Sequence, residues 1–108
     1  MATRGILGTP TDVPATTNTT VYTVPSDTFA IVTINITNRS AATRDIRIGL
    51  AASGTPSAGE WIEYDTELVS NGTLERSGVV LQAGKNVVAY ANSTDVSVMV
   101  YGIETATT

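Results

Sequence analysis

A strict alternation of apolar and polar residues is the feature of this sequence that most restricts its fold. In residues 29–38 every second side chain is apolar, at Ala30, Val32, Ile34 and Ile36, and from residue 33 onward the side chains between them are polar. A period of two places one set of side chains in a core and the other in water. The same pattern returns in residues 44–52 and 96–101. We therefore expect these three segments to be strands whose buried faces include Val32, Ile34, Ile46, Ile48, Val98 and Val100.

The rest of the chain favours more strands separated by turns. Weaker strand candidates cover residues 20–24, 61–68, 73–81 and 86–91, and Asn71-Gly72 predicts a hairpin turn because both residues tolerate a positive φ. Ser and Thr make up 27 of the 108 residues, and the many β-branched side chains favour sheet over helix. We expect an all-β fold, a single antiparallel β-sandwich or small barrel of about seven strands, in immunoglobulin-like or jelly-roll order.

The first 18 residues lack the alternation seen elsewhere. They contain two of the four prolines and two of the nine glycines, with no apolar period of their own. This composition predicts a division of the chain into an extended N-terminal arm, residues 1–18, and a sandwich domain, residues 19–108. The arm is expected to contact a neighbouring subunit; the alternative is a frayed tail.

Composition excludes several classes of function. The chain has no Cys and no His, which removes disulfides, thiolate and imidazole metal sites, and Ser-His-Asp or Cys-His catalysis. Six Lys and Arg against ten Asp and Glu argue against nucleic acid as a partner. No apolar run approaches the roughly 20 residues that span a membrane, and nothing at the start resembles an export signal. We expect no enzymatic activity, no cofactor, no membrane partner and synthesis in a cytoplasm.

The acidic stretch at residues 60–67 is the densest charge in the chain. A regular strand would place Glu63, Asp65 and Glu67 on one face, where carboxylates at alternate positions suit Ca²⁺. The same carboxylates also suit the acid and base pair of a glycosidase. The simpler interpretation is a solvated strand face paired with Arg44 or Arg47 on a neighbouring strand.

Four large apolar side chains fall on the strand faces assigned to solvent: Phe29, Ile31, Met99 and Tyr101. A cluster of such groups in water is unusual for a monomer, so they are the candidate interface of a homo-oligomer. Three copies are the first expectation and two the second. The alternative is that strand twist tucks Phe29 and Tyr101 under a loop.

Several segments together resemble small virion structural proteins of tailed bacteriophages. They are residues 21–25 with the strand that ends at 35–39, then 53–65, 71–78, 81–85 and 96–104. The resemblance implies a non-enzymatic β-sandwich repeated on the virion, made in the host cytoplasm. Its partners would be copies of itself and the major capsid protein or another virion protein.

The leading hypothesis is a capsid decoration or cement protein on the head surface. The same resemblance leaves open a tail, baseplate or fibre-attachment component. A third hypothesis, of a different class, is a carbohydrate-binding adhesion module that uses Trp61 or the tyrosines, because exposed aromatic rings stack on sugars.

Overall fold

The computed structural model describes residues 3–107, which build two antiparallel four-stranded sheets packed against each other. The strands are β1 (Thr3–Asp12), β2 (Thr19–Thr23), β3 (Thr28–Asn38), β4 (Arg44–Ala51), β5 (Trp61–Leu68), β6 (Thr73–Leu81), β7 (Asn86–Ala91) and β8 (Val96–Ala106). Sheet A has the order β1-β8-β3-β6, and sheet B has the order β2-β7-β4-β5. The predicted all-β sandwich is confirmed.

The pairing of the strands is nested. The hairpin β4–β5 lies at the centre of the chain, and outward from it β3 pairs with β6, β2 with β7 and β1 with β8. The pairs β3–β8 and β4–β7 then join these into two sheets. This is the jelly-roll order of two Greek keys, one of the two orders that alternation alone left open.

The core lies between the sheets and is almost wholly aliphatic. All six side chains predicted to be buried are at most 1% exposed: Val32, Ile34, Ile46, Ile48, Val98 and Val100. They lie on the inward faces of β3, β4 and β8, as the period of two predicts. The prediction of which side chains in the three alternating segments face the core is therefore confirmed.

The structure corrects the division at residue 18. The part of the predicted arm that is described, residues 3–18, begins with β1, which pairs with β8 of the same chain; residues 1 and 2 lie outside the described range. Leu7 and Val13 are buried in the core. The alternation is hidden because the register breaks between Leu7 and Thr11, so that residues 8–10 face Met99 alone on β8.

The turn at Asn71-Gly72 is also not a hairpin. Asn71 has the expected positive φ of 57°, and the Gly72 amide donates to the Val69 carbonyl at 2.8 Å. The flanking strands β5 and β6 nevertheless belong to different sheets. The prediction of a turn at Asn71-Gly72 is therefore confirmed, whereas the prediction that its two flanking strands pair with each other is wrong.

Polar contacts close the two open sides of the sandwich. On one side Arg76 of β6 donates from Nη1 to Glu63 Oε2 of β5 at 3.0 Å. On the other side the buried Tyr22 hydroxyl of β2 donates to the Glu104 carboxylate of β8. Each contact ties a strand of one sheet to a strand of the other, so the outer faces of both sheets are held in fixed relation.

Candidate functional site

The four predicted interface residues all lie on the outer face of sheet A. Ile31 and Met99 are exposed, whereas Phe29 and Tyr101 are half-buried. Since the inward residues of β3 and β8 are the buried ones, these four side chains point away from the core. The structure thus brings the four together on one surface, and their role as an interface stays a prediction.

Three further apolar residues extend this surface across all four strands. Val80 on β6, Ile31 on β3 and Ile103 on β8 stand directly opposite one another in the sheet register. Ile6 on β1 stands opposite Tyr101 in the neighbouring row. Directly opposed side chains in a sheet are in contact range. We call the resulting surface the apolar face; it consists of Ile6, Phe29, Ile31, Val80, Met99, Tyr101 and Ile103.

The apolar face contains most of the large apolar side chains that the described residues expose. Val80 is 65% exposed, Ile6 58%, Ile103 49% and Ile31 46%. Only two others in residues 4–107, Tyr64 and Val69, are exposed to a comparable degree, and both lie elsewhere. Scattered single apolar residues are normal on a protein surface, whereas these residues form a continuous group across four strands.

Sequence reasoning missed Ile6, Val80 and Ile103. Ile103 shares its parity with Met99 and Tyr101, so extending the last alternating run by two residues would have found it. Val80 is adjacent to an inward Val79 in a run without clean alternation. Ile6 lies in the segment assigned to the arm, where the pairing with Tyr101 has no local signal.

Opposite charges lie at the two sides of the apolar face. Arg4 on β1 is exposed and stands opposite Ile103 in the register. Glu75 on β6 is exposed on the far side and accepts a hydrogen bond of 2.8 Å from the Tyr101 hydroxyl. That hydrogen bond raises the pKa of Tyr101 above its usual value. One exposed basic residue, Arg4, therefore lies at the β1 side of the face, and one exposed acidic residue, Glu75, lies at the β6 side.

The outer face of sheet B carries a different set of side chains. The Arg47 guanidinium lies 4.1 Å from the ring centroid of Tyr64 and 4.3 Å from that of Tyr90. Arg47 Nε also donates to Asp65 at 2.6 Å, and this hydrogen bond raises the pKa of Arg47. The Trp61 and Tyr64 rings meet edge to face, 5.5 Å apart. We call these five residues, Arg47, Trp61, Tyr64, Asp65 and Tyr90, the aromatic cluster. Within it the Arg47 guanidinium is already paired with Asp65 and with the rings of Tyr64 and Tyr90.

A loop packs on the outer face of sheet B next to the aromatic cluster. Residues 52–60, the covering loop, fold back so that the buried Pro56 packs on Gly49, where a Cβ would come within 2.7 Å of the proline ring. Val88 points outward here and is still fully buried. Glu60 joins the loop ends by accepting from the amides of Ser57 at 2.9 Å and Ala52 at 3.1 Å. These backbone hydrogen bonds lower the pKa of Glu60.

The acidic stretch does not form the expected row of carboxylates. The register of β5 against β4 slips so that Thr66 faces Ile46 and Glu63 faces Ile48, and Asp65 has a positive φ of 50°. The irregularity turns Glu63 toward Arg76 and Thr66, while Asp65 binds Arg47. Within residues 3–107 no three acidic side chains come together as a metal site. Of the simpler interpretation, the pairing with Arg47 is confirmed for Asp65, whereas the regular face of three carboxylates is not formed.

Two cavities adjoin these surfaces. One, of about 290 Å³, opens beside the β1 irregularity and is lined by Pro10, Thr11, Asp12, Asn35, Thr37, Ser97, Val98 and Met99. The other, of about 400 Å³, is bounded by Ala58 and the Trp61–Tyr64 corner. The second cavity lies beside the exposed ring of Tyr64.

Among residues 3–107 no helix is long and apolar enough to cross a membrane. No protein-family model matches the sequence, and no curated protein matches it.

Proposed function

We propose that this chain is a non-enzymatic structural protein of a tailed-phage virion, a capsid decoration or cement protein that associates with copies of itself through the apolar face. The observation that carries the proposal is the row Val80, Ile31 and Ile103, exposed side by side on three strands of sheet A. The segments that resemble phage virion proteins supply the virion part of the proposal.

The energetics favour a covered apolar face. Fully burying one large aliphatic or aromatic side chain stabilises by about 1.5–3 kcal/mol. The apolar face offers seven such groups, of which Phe29 and Tyr101 are already half-buried. The face is therefore well suited to hold a small oligomer together.

The charges at its borders favour copies of the same chain as the occupant. Arg4 lies at the β1 side and Glu75 at the β6 side, so the β1 side of one copy complements the β6 side of the next. A head-to-tail arrangement of this kind forms a ring when the rotation from one copy to the next closes, and an open filament when it does not. Three copies are the first expectation and two, related by a two-fold axis, the second. The major capsid protein or another virion protein is the proposed support for the ring.

The jelly-roll order is compatible with this role. Jelly rolls occur in viral capsid domains and in lectins, which is an analogy of fold and carries no residue roles. A tail, baseplate or fibre-attachment component would use the same apolar face, and its copies would be confined to the tail. Location on the particle distinguishes the two.

The experiment is a reconstruction of the phage particle together with quantification of this chain in purified virions. Decoration predicts its density on the outer head surface at local symmetry axes, with the apolar face turned toward neighbouring copies. Density confined to the tail would favour the tail component. Absence of the chain from purified virions would contradict the virion proposal altogether.

One observation favours a second candidate, a carbohydrate-binding module. Tyr64 is 56% exposed beside Trp61, and their edge-to-face corner borders a cavity of about 400 Å³. Aromatic rings of this kind stack on sugar rings. Glycan-array binding by the isolated chain that is lost in Trp61→Ala and kept in Phe29→Ala would support this function. No binding to any glycan would contradict it.

A further inference from the structure

We propose that β1 is exchanged between two copies of this chain, so that residues 3–15 of each copy complete sheet A of the other. The inference concerns β1 and its connection to β2, and it does not depend on the virion role. It rests on three features of this segment. They are the position of β1 at the edge of sheet A, the strained backbone of Thr16 in the connection to β2, and the side chains that fit the β1 position in the sheet.

β1 is held at the edge of sheet A. Among residues 3–107 its backbone pairs with β8 alone, in two short runs on either side of the break between Leu7 and Thr11. Leu7 and Val13 are the side chains that it and the following residue bury in the core. β1 can therefore leave the edge of sheet A without breaking other strand pairs. Its departure would expose the apolar core surface that Leu7 and Val13 cover, and another segment must cover that surface.

The connection from β1 to β2 contains a strained residue. Thr16 has φ of 53°, in the left-handed region, where a β-branched side chain is a real outlier. The other non-glycine residues with positive φ among the described residues are all Asp or Asn, which tolerate this region. Straightening the chain at Thr16 relieves the strain and carries β1 away from its own sheet. Short connections under strain favour strand exchange for this reason.

The vacated place accepts this same segment. A Cβ at Gly8, which has φ of 69°, would lie 2.4 Å from the Val21 carbonyl oxygen. A strand with any side chain at this position would collide with β2, and the place also requires apolar groups corresponding to Leu7 and Val13. The β1 segment of another copy meets these requirements, because it has glycine at position 8 and apolar side chains at positions 7 and 13. Residues 16–18, once extended, reach about 10 Å, which places the two bodies side by side.

The contacts that β1 makes would be preserved between copies. The Val13 amide donates to the Val96 carbonyl at 2.8 Å, and Ala15 bridges to Ala91. The Thr16 amide at the hinge itself donates to the Ala91 carbonyl at 2.8 Å. The Val13 contact therefore lies before the hinge and would form with the partner copy, whereas the contact to Ala91 includes the hinge residue. Exchange therefore costs few native contacts and removes one strained residue.

An engineered disulfide tests the exchange, because the chain has no cysteine of its own. Asp12 and Ser97 are register partners on β1 and β8, and antiparallel partners have the Cα separation that a disulfide needs. In Asp12→Cys/Ser97→Cys we expect oxidation to give covalent dimers on a denaturing, non-reducing gel. The matched control Thr37→Cys/Ser97→Cys joins β3 to β8, which are not exchanged, and should give a cross-link within one chain only.

Two hinge variants in the Asp12→Cys/Ser97→Cys background sharpen the result. Thr16→Gly accepts the positive φ without strain and should lower the dimer fraction several-fold. Thr16→Pro, whose φ is fixed near −65°, excludes the closed connection and should raise it. Cross-links found only within one chain, with both hinge variants unchanged, would overturn the proposal. Dimers formed equally by the β3–β8 control would overturn it as well, because they would reflect collision and not exchange.

Discussion

The outer faces of the two sheets have similar strands and opposite surfaces. On sheet B, Pro56 and the covering loop lie over Gly49 and Val88, and the aromatic cluster holds Arg47 between two rings. On sheet A no such loop from residues 3–107 lies over Ile31, Val80 or Ile103, which stay exposed. One face is completed by its own chain, and the other has the apolar composition of a surface completed by another molecule. The difference shows that an outward-pointing apolar residue indicates a binding surface only when no other segment of the same chain covers it.

The largest expected effect separates inward from outward isoleucines. Ile48→Ala removes a fully buried side chain behind sheet B and should lower the free energy of unfolding by about 2–5 kcal/mol. Ile31→Ala, on the apolar face, should cost under about 1 kcal/mol at protein concentrations where the chain is monomeric. Urea denaturation measures both. Equal losses of unfolding free energy in the two variants would show that the apolar face stabilises the folded monomer and is not a free surface.

The covering loop should be sensitive to one added methyl group. Gly49→Ala forces a Cβ against the Pro56 ring and should destabilise the fold by about 1–3 kcal/mol. Gly59→Ala, in the same loop with no atom within 4 Å of the new Cβ, is the matched control. Chemical denaturation of both variants is the measurement. If Gly49→Ala were as stable as the control, the loop would not be packed on sheet B.

Two tyrosines should respond differently to high pH. Burial first, and then the hydrogen bond to Glu104, raise the pKa of Tyr22 above the usual 10.0. The folded state therefore retains the Tyr22 proton while the unfolded state loses it. This contribution to stability is fully present below about pH 10 and is lost as the pH rises above that value.

Tyr22→Phe should flatten the alkaline fall in unfolding free energy. Tyr101→Phe on the apolar face is the control, since Tyr101 also has a raised pKa but is bonded to Glu75 near solvent. Thermal unfolding between pH 8 and 11 measures the two slopes. A larger change in Tyr101→Phe than in Tyr22→Phe would contradict the assignment of Tyr22 to the closure between the sheets.

The smallest expected effect concerns the ion pair on sheet B. Asp65→Asn removes the partner of Arg47 and should cost only about 0.2–1 kcal/mol, because the pair is partly exposed. The cost should fall further in high salt. A loss as large as that of Gly49→Ala, measured by denaturation, would mean that charge and not loop packing holds the sheet B surface together.

The strands and their inward faces were predictable because period-two alternation is a local signal. Residues 29–38 and 96–101 contain it without interruption, and they became β3 and part of β8. β1 was not predictable in this way. Its register breaks at residues 8–10, and its burial of Leu7 depends on β8, which lies about ninety positions later in the chain.

The candidate surface was predicted only in part for a related physical reason. Phe29, Ile31, Met99 and Tyr101 could be grouped by parity alone, but the partners Val80 and Ile6 come from strands whose register is set by the whole fold. Asn38 illustrates the same limit. Asn38 ends the alternating run at residues 29–38 as a polar residue, yet it is fully buried and its side-chain amide donates to the carbonyls of Ala42, Leu68 and Val69.

Sedimentation equilibrium is the most direct test of the claim that the apolar face joins copies of this chain. Three proteins are compared, all carrying Thr16→Gly, which lowers strand exchange to the same extent in each: the parent, Ile31→Ser/Val80→Ser, and Tyr64→Ser/Val69→Ser. The last pair removes two equally exposed apolar side chains that lie away from the face. We expect the parent and the Tyr64/Val69 variant to associate with rising concentration toward three copies, and the Ile31/Val80 variant to remain monomeric. A parent that is monomeric at every concentration, or an Ile31/Val80 variant that associates like the parent, would contradict the claim.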